Sequence, residues 1–596
     1  MHFKKRFFAT VILTMMAFSV IGAGAQDNVK KVFMPIGGGY GDTYDAFIAA
    51  ALNSKVGDTL KIVVLPSTYA TSADKITDDE RQENLDAAEN RRSQIEDSCK
   101  ADVPASVTCD VQLTPIFTRD DALNPDNVAF FTDDVGAVYI LGGDQTIAMQ
   151  VMVNTPVEEA LAKAYDRGAL IAGTSAGEAV QSKVMLGGYL GDYGPETGLN
   201  EGAVDIWNSG DKRGLSFGIA DAIFEQHFWE RARLGRLMNV LAQPGVPPVG
   251  LGIDSYTAAT ITDSKTLSNV AGLYSIGILD AQTFDAAKSA TFRSNILSMH
   301  NVLFHILPPG DFTYDLDTHE TSIAPSLKNI KRTFDDLKAP AGAGRLILSG
   351  NLETFTANAS VLAHFVELSQ GDNAKICVAL FADTDEASNT LLQTYTPIAQ
   401  STTSFVNISI TPGTTPEAKV FDSCTGIMVL ASDVSKVDAS KLMAIKTLWL
   451  AGTPLLLDNA AAAIAGTFFS AQGPTPEATD AEPYADIDYI QGAFIDGSTN
   501  IQSGLGLLNI TVEARTLADY RVGRMVALGY AHPDTLAIGL NDASALEINQ
   551  DGASVLGTNG VFVLDLRQAT LDKGTNDGFA FANGLLDSFA PGDTIK

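Results

Sequence analysis

The stretch ALIAGTSAGEAV, Ala169–Val180, joins a short apolar run to a glycine-rich turn and a helix-favouring continuation. Glycines two residues before and two residues after Ser175 permit a tight strand-to-helix turn that lifts the serine hydroxyl above a sheet. The amide of Ala176 then lies at the start of the helix, where it can hold a developing oxyanion. The pattern predicts a nucleophilic serine, although a small-residue turn that only packs a helix on a strand fits the same letters.

The chain before this turn alternates between apolar runs and helical patterns. Apolar runs at 32–36, 61–65 and 135–141 predict buried strands, and the segment 156–166 predicts a helix that leads to the serine turn. This alternation is typical of a parallel sheet covered on both faces. Because sites in such sheets form at the carboxyl ends of strands, we expect the glycines at 37–39, which follow the first strand, beside Ser175.

Chain length and net charge indicate how many domains and which kinds of partner to expect. At 596 residues the chain is too long for one core and is expected to hold two or more domains. Forty basic against 71 acidic residues give a formal net charge of −31. Nucleic acid and anionic membrane surfaces are therefore not expected as partners.

The N-terminus has the pattern of a secretory signal peptide. Lys4, Lys5 and Arg6 are followed by an apolar stretch over 7–21 and by small residues up to Ala25. We expect cleavage near Ala25, so that residues 1–25 are removed and the mature protein is secreted or periplasmic.

Four cysteines fit an oxidising compartment. Cys99 and Cys109 share one polar segment and are expected to close a local loop. Cys377 lies in an apolar run, where a buried free thiol is the usual interpretation, and Cys424 is either its partner or free. No spacing resembles a metal site, and no metal or other cofactor is expected.

A second candidate stretch, FEQHFWERARLGRL, follows at 224–237. His227 lies between polar and aromatic neighbours, and Arg231, Arg233 and Arg236 come soon after it. A histidine close to an exposed serine is the general base that such a nucleophile requires. A surface histidine beside a basic helix is the alternative interpretation.

These motifs together resemble the cyanophycinase and peptidase E family of serine peptidases. The resemblance rests on the ordered motifs Gly-Gly-Asp-Gln at 142–145, Gly-Thr-Ser-Ala-Gly at 173–177, Glu-Gln-His-Phe at 225–228 and Gly-Ile-Asp at 252–254. It implies Ser175 as nucleophile, His227 as base, and Gly143 with Ala176 as oxyanion hole. It also implies a substrate pocket that holds an acidic group, to which we assign Gln145, Glu225, Gln226, Arg231, Arg233 and Arg236.

One departure from the family pattern bears on catalysis. The family carries its third triad member, a glutamate, at the position of Ser255. A serine cannot stabilise a charged imidazole as a carboxylate does, so an impaired enzyme is expected, and Ser255→Glu is expected to raise turnover. If another carboxylate serves His227, Glu225 and Glu178 are the first candidates.

The second half of the chain repeats the pattern of the first. After a small-residue linker at 338–344, apolar runs recur in the same order, and an offset of 288 places Arg521 on Arg233 and Arg515 on His227. Asn459 stands where the serine is expected. We therefore predict two tandem, doubly wound, mostly parallel α/β domains of the glutamine amidotransferase-like type, at 26–337 and 345–596, the second a degenerate duplicate without catalytic residues.

The leading functional hypothesis is a secreted serine peptidase. The resemblance implies hydrolysis of β-aspartyl-arginine linkages in cyanophycin-like peptides, which makes a peptide substrate the expected partner. Two alternatives stay open: a secreted pseudoenzyme that binds acidic peptides or acts as a scaffold, and an aspartyl dipeptidase-like hydrolase. A homodimer is also left open.

Overall fold

The computed structural model describes residues 29–283, 291–352, 359–383, 386, 404–411, 415–479 and 484–596. The expected signal peptide, 1–25, lies outside the described residues.

Within its described residues, the first half forms sixteen strands that belong to three sheets. Their bounds are β1 Val32–Ile36, β2 Thr59–Leu65, β3 Thr108–Leu113, β4 Val135–Ile140, β5 Leu170–Thr174, β6 Met185–Tyr189, β7 Val204–Trp207, β8 Ala222–Glu225, β9 Val249–Ile253, β10 Thr257–Thr262, β11 Thr266–Gly272, β12 Ile276–Asp280, β13 Thr291–Arg293, β14 Ile296–Leu307, β15 Tyr314–Asp315 and β16 Glu320–Thr321. The main sheet has the order β16-β15-β11-β10-β1-β5-β4-β2-β3. Its five strands from β1 to β3 in this order are parallel, as the alternating pattern predicts.

Helices cover both faces of this main sheet. The bounds of these helices are α1 Tyr44–Ala51, α2 Asp78–Asp102, α3 Arg119–Leu123, α4 Pro125–Val128, α5 Gln145–Met152, α6 Pro156–Asp166 and α7 Ala176–Ala179. A further helix, α8 Leu234–Leu241, packs on β9, outside the main sheet. Alternate strand residues point to opposite faces, so Val63 and Val138 pack with α5 and α6, whereas Ile62 and Ala137 pack with α1 and α2. None of the described helices is both long and apolar enough to cross a bilayer.

The second half contains a sheet whose strand order matches that of the main sheet of the first half, together with helices and further strands. Its elements are β17 Leu346–Ser349, α9 Ala359–Leu368, β18 Lys375–Phe381, β19 Ser404–Ile410, β20 Gly426–Ala431, α10 Met443–Leu450, β21 Leu455–Asn459, α11 Ala460–Ala463, β22 Phe468–Ser470, α12 Ala485–Gly492, β23 Ile501–Ser503, β24 Ile510–Ala514, α13 Val522–Ala531, β25 Leu536–Leu540, β26 Ser544–Asn549, β27 Gly552–Gly557, β28 Val561–Asp565, β29 Thr570–Lys573, β30 Phe579–Phe589 and β31 Thr594–Ile595. The order β19-β18-β20-β21-β17-β26-β27 follows, strand for strand, the order β3-β2-β4-β5-β1-β10-β11 of the first half. The α/β class with parallel-rich sheets therefore holds in both halves.

A twelve-stranded sheet joins the two halves, which the sequence did not predict. Its order is β23-β22-β24-β25-β28-β30-β14-β12-β9-β8, with β13 and β29 paired at its side. The strands β14 and β30 pair antiparallel across the boundary between the halves. Phe304 on β14 and Phe581 on β30 meet edge to face, with ring centroids 5.2 Å apart. The two halves consequently share a hydrophobic core.

Both cysteine pairs are bonded. The disulfide Cys99–Cys109 ties the end of α2 to β3, as expected. Cys377 on β18 is bonded to Cys424, which lies just before β20. The interpretation of Cys377 as a free thiol is therefore wrong, because the parallel pairing of β18 and β20 brings the two cysteines together.

The shared core predicts that the halves unfold together. Phe581→Ala removes a fully buried ring from this core and should lower the free energy of unfolding by about 3–5 kcal/mol. We expect one calorimetric transition, displaced as a whole to lower temperature. The control Leu450→Ala, at a side chain that is 43% exposed, should leave the transition nearly unchanged. Two separate transitions, with only the second displaced, would contradict a shared core.

Candidate active site

Ser175 occupies a strained turn between β5 and α7. Its backbone has φ 54° and ψ −114°, a region that residues with a side chain rarely adopt. The glycines on either side are required by close packing: a Cβ at Gly173 would lie 2.2 Å from the carbonyl oxygen of Gly177, and a Cβ at Gly177 would lie 2.2 Å from that of Ile140. The spacing of these glycines therefore produces the turn that the sequence predicts.

His227 lies directly opposite the serine. It follows β8 with a φ of 48°, and its backbone N–H donates to the carbonyl oxygen of Gly37. Its ring packs so closely on Gly38 that a Cβ there would lie 2.4 Å from Cε1. The Nε2 atom is 2.9 Å from Ser175 Oγ. The structure thus brings together the predicted nucleophile and the predicted base.

A carboxylate lies on the other side of the imidazole, and it belongs to Glu230. Glu230 Oε2 is 2.7 Å from His227 Nδ1, and Ser255 Oγ is 2.6 Å from the same nitrogen. The Ser255 hydroxyl also donates to Glu230 Oε2 in a very short hydrogen bond. A carboxylate can only accept, so Nδ1 donates to it, and Nε2 is left to accept from the Ser175 hydroxyl.

This arrangement corrects the expectation drawn from Ser255. The expected impairment assumed that no carboxylate reaches His227, whereas Glu230 reaches it from three residues further along the chain. Ser255 keeps contact with the histidine and adds a hydroxyl between the two groups. Ser255→Glu would place a second carboxylate against Glu230, so the expected gain in turnover no longer has a physical basis.

The pKa shifts of Glu230 and His227 are those of a charged hydrogen-bond acceptor beside a neutral base. Burial alone would raise the pKa of Glu230, but the hydrogen bond and charge of His227 and the hydroxyl of Ser255 bring this pKa down to about 2. Burial lowers the pKa of His227 below its usual value, and the hydrogen bond to Glu230 offsets this only in part. His227 is therefore neutral at pH 7 and able to accept a proton.

The carboxylate beside the imidazole of His227 is neither Glu178 nor Glu225, the two candidates that the sequence suggested. Glu178 is fully buried, and neither carboxylate oxygen has a hydrogen-bond partner among the described residues. Burial and the nearby charge of Glu225 raise the pKa of Glu178 well above its usual value, which favours the protonated form of this group.

Glu225 instead forms a buried cluster with two of the predicted substrate-binding arginines. Its two oxygens accept from Arg236 Nε at 2.7 Å and from Arg236 Nη2 at 2.5 Å. Arg233 Nη1 lies 3.4 Å from the same carboxylate and donates to the carbonyl oxygen of Gln226 at 2.6 Å. Arg236 is 3% exposed, so its assignment to an acidic group of the substrate is not supported. Arg231, with a side chain 47% exposed, is far more accessible.

The two predicted glutamines have different surroundings. Gln226 lies beside the nucleophile, and its Oε1 is 3.1 Å from Ser175 Oγ, where it is an alternative to His227 Nε2 as acceptor of the one hydroxyl proton. Gln145 begins α5, and its Nε2 donates to the carbonyl oxygens of Leu186 and Gly187 on β6. Gln226 is thus part of the serine's surroundings, whereas Gln145 fixes one helix to a neighbouring strand.

The two residues of the predicted oxyanion hole, Gly143 and Ala176, lie next to residues that form the serine turn. The loop with Gly142 and Gly143 follows β4 and approaches the serine so closely that a Cβ at Gly142 would lie 3.2 Å from Ser175 Cβ. Gly143 has a φ of 147°, and a Cβ there would lie 2.3 Å from the carbonyl oxygen of Thr68. In the part of the chain that the structure describes, no hydrogen bond engages the N–H groups of Gly143 or Ala176. Both amides are available to a ligand.

The part of the chain that carries this site is similar to known peptidases. The model of "Peptidase family S51" matches residues 120–267, which include Ser175, His227, Glu230 and Ser255. A cyanophycinase of Geminocystis herdmanii is 29% identical over 192 residues, and one of Trichormus variabilis is 34% identical over 177 residues. The resemblance of the first half to the cyanophycinase and peptidase E family is confirmed.

The extent of these matches is limited. They cover 32% and 29% of this chain, which spans 66% and 55% of the lengths of the two relatives. A solved peptidase from an acI-B1 Actinobacterium aligns with 48% of this chain and 98% of its own, at 14% identity and a TM-score of 0.33. That structural likeness is too weak to support a functional conclusion.

The contact between Glu230 and His227 predicts a distinctive pH profile for hydrolysis at this site. Glu230→Gln removes the charge that raises the pKa of His227, so the acid limb of kcat/KM should move to lower pH. The plateau should fall by about 10²–10⁴-fold, since the imidazolium loses its stabilising partner. Hydrolysis rates measured across pH for both proteins test this.

Ser255→Ala is the matched control for this substitution. It removes a hydroxyl that touches the same nitrogen but leaves the carboxylate in place. We expect it to reduce kcat/KM by less than about tenfold with little displacement of the acid limb. A larger loss for Ser255→Ala than for Glu230→Gln would contradict the assignment of Glu230.

Proposed function

We propose that this protein is a secreted serine peptidase that hydrolyses β-aspartyl-arginine linkages of cyanophycin-like peptides. The observation that carries the proposal is the relay from Ser175 Oγ through His227 to Glu230, placed at a strained strand-to-helix turn. The substrate class rests on the cyanophycinases among its relatives and on the family resemblance.

The proposed reaction uses each member of the relay in turn. Ser175 Oγ attacks the carbonyl carbon of the scissile amide while His227 Nε2 accepts the hydroxyl proton, and Glu230 stabilises the imidazolium that forms. The amides of Gly143 and Ala176 donate to the oxyanion of the tetrahedral intermediate. His227 then returns its proton to the leaving nitrogen, and the C–N bond breaks. Water next attacks the acyl carbon while His227 accepts its proton, and that proton passes to Ser175 Oγ as the ester C–O bond breaks and the acid is released.

We also infer that the second half is a duplicate of the first that has lost this chemistry. Asn459 occupies the corresponding turn with φ 54° and ψ −130°, close to the values of Ser175. Arg515, with φ 56°, stands at the position of His227 and is paired with Asp519 and Asp542. The matching strand orders of the two halves support the same inference.

A location outside the cytoplasm is part of the proposal. The basic, apolar and small-residue pattern of residues 1–25 supports export, and two disulfides suit an oxidising compartment. The substrate is then a peptide that the protein meets outside the cell or in the periplasm, and no cofactor takes part in the proposed steps.

A labelling and turnover assay on the purified protein tests this function. The wild type should hydrolyse cyanophycin and should be labelled by a fluorophosphonate probe at Ser175. Ser175→Ala should abolish labelling and lower turnover by about 10⁴-fold or more. The control Asn459→Gly, at the matching turn of the second half, should retain both. A wild type that neither hydrolyses cyanophycin nor reacts with the probe would refute the proposal.

A further inference from the structure

A buried glutamine of the second half contacts the residues that support the relay. Gln491 lies in α12 and is fully buried. Its Nε2 donates to Asp254 Oδ2 at 2.7 Å, across 237 residues of sequence. Asp254 follows β9 directly and is also fully buried. A side chain of the second half thus contacts the residue that precedes Ser255.

The other oxygen of Asp254 holds the turn that carries Glu230. Asp254 Oδ1 accepts from the backbone N–H groups of Trp229 and Glu230, each at 3.0 Å. These bonds fix the backbone from which the Glu230 side chain reaches back to His227. One carboxylate therefore connects α12 of the second half to the third member of the relay.

The same turn is packed from the second half by an aromatic contact. The rings of Trp229 and Phe494 are stacked with centroids 4.3 Å apart. Phe494 lies two residues beyond the end of α12, so Gln491 and Phe494 approach the turn together. The turn that presents Glu230 is consequently held from the second half by both a hydrogen bond and a packed ring.

We propose that Gln491 is a positioning residue for the active site, so that the second half completes the relay of the first. Gln491 holds Asp254, Asp254 holds the backbone of Glu230, and Glu230 holds His227 in the orientation that faces Ser175. The inference rests on the proposed function. It gives the second half, which lacks a serine and a histidine at the matching positions, a defined part in the reaction.

The charge of Asp254 depends on this contact. Burial raises the pKa of Asp254 to about 7, and the N–H of Glu230 and the amide of Gln491 oppose this rise. The charge of Glu230 also raises it, and Glu178 and Tyr274 are the other titratable groups affected by Asp254. Without the amide of Gln491, one buried oxygen loses its donor, and the protonated form of Asp254 is favoured. A neutral Asp254 holds the Glu230 backbone less firmly.

Gln491→Met tests this inference because methionine keeps the length of the side chain and lacks the donor. We expect kcat to fall by about 5–50-fold with KM changed less than about twofold, because the relay and not substrate binding is disturbed. The signal of the His227 Nδ1 proton, observed in ¹⁵N-histidine-labelled protein, should shift or broaden, since its acceptor is no longer fixed.

Tyr274→Phe is the matched control at the same boundary. The Tyr274 hydroxyl donates to Asp488 of α12 at 3.1 Å, so this variant also loses one hydrogen bond between the halves but leaves Asp254 in place. Its kcat should stay within about twofold of the wild type, and its His227 signal should not shift. Circular dichroism melts of both variants show whether either is unfolded at the assay temperature.

The outcomes separate this inference from the proposed function. An unchanged His227 signal and unchanged kcat in Gln491→Met overturn the positioning role, as does an equal loss in Tyr274→Phe. If the wild type itself shows no hydrolysis and no labelling, the proposed function fails, but the His227 signal still reports whether Gln491 positions the relay.

Discussion

The hydrogen bond between His227 Nδ1 and Glu230 Oε2 is the contact on which the chemistry of this site depends. It fixes the proton on Nδ1, and it thereby leaves Nε2 as an acceptor facing Ser175. The short span between His227 and Glu230 is possible because the chain turns sharply, with φ of 48° at His227. The place beside the imidazole is therefore occupied by a carboxylate, as a triad requires, but this carboxylate comes from position 230 and not from position 255.

The strand order that supports this site recurs in the second half, whereas the contact between serine, histidine and carboxylate is described in the first half. Asn459 keeps the strained turn of Ser175 although it carries no nucleophile, which indicates that the turn follows from close packing between strand and helix. The halves are joined by the pairing of β14 with β30 and by a shared core. Phe494, just beyond α12, packs on Trp229 in the turn that carries Glu230. We therefore propose that the first half carries the reactive residues and that the second half supports them.

The sequence predicts the local features of this structure and misses those that depend on distant contacts. The glycines around Ser175 and the neighbours of His227 predict the nucleophile and base, because both depend on short-range geometry. Glu230 escapes prediction, since its position depends on a turn held by Asp254, which in turn contacts Gln491. The pairing of Glu225 with Arg236 and the sheet shared by the halves likewise have no local signature.

The most direct test of this account is to exchange the two residues that contact His227 Nδ1. Glu230→Ser, Ser255→Glu and the double variant would be compared with the wild type by kcat for cyanophycin hydrolysis at a single pH above the acid limb. The account predicts that Glu230→Ser loses about 10²–10⁴-fold, that Ser255→Glu alone gains nothing, and that the double variant recovers at least about tenfold over Glu230→Ser. A tenfold or greater gain from Ser255→Glu alone, with little loss from Glu230→Ser, would contradict it.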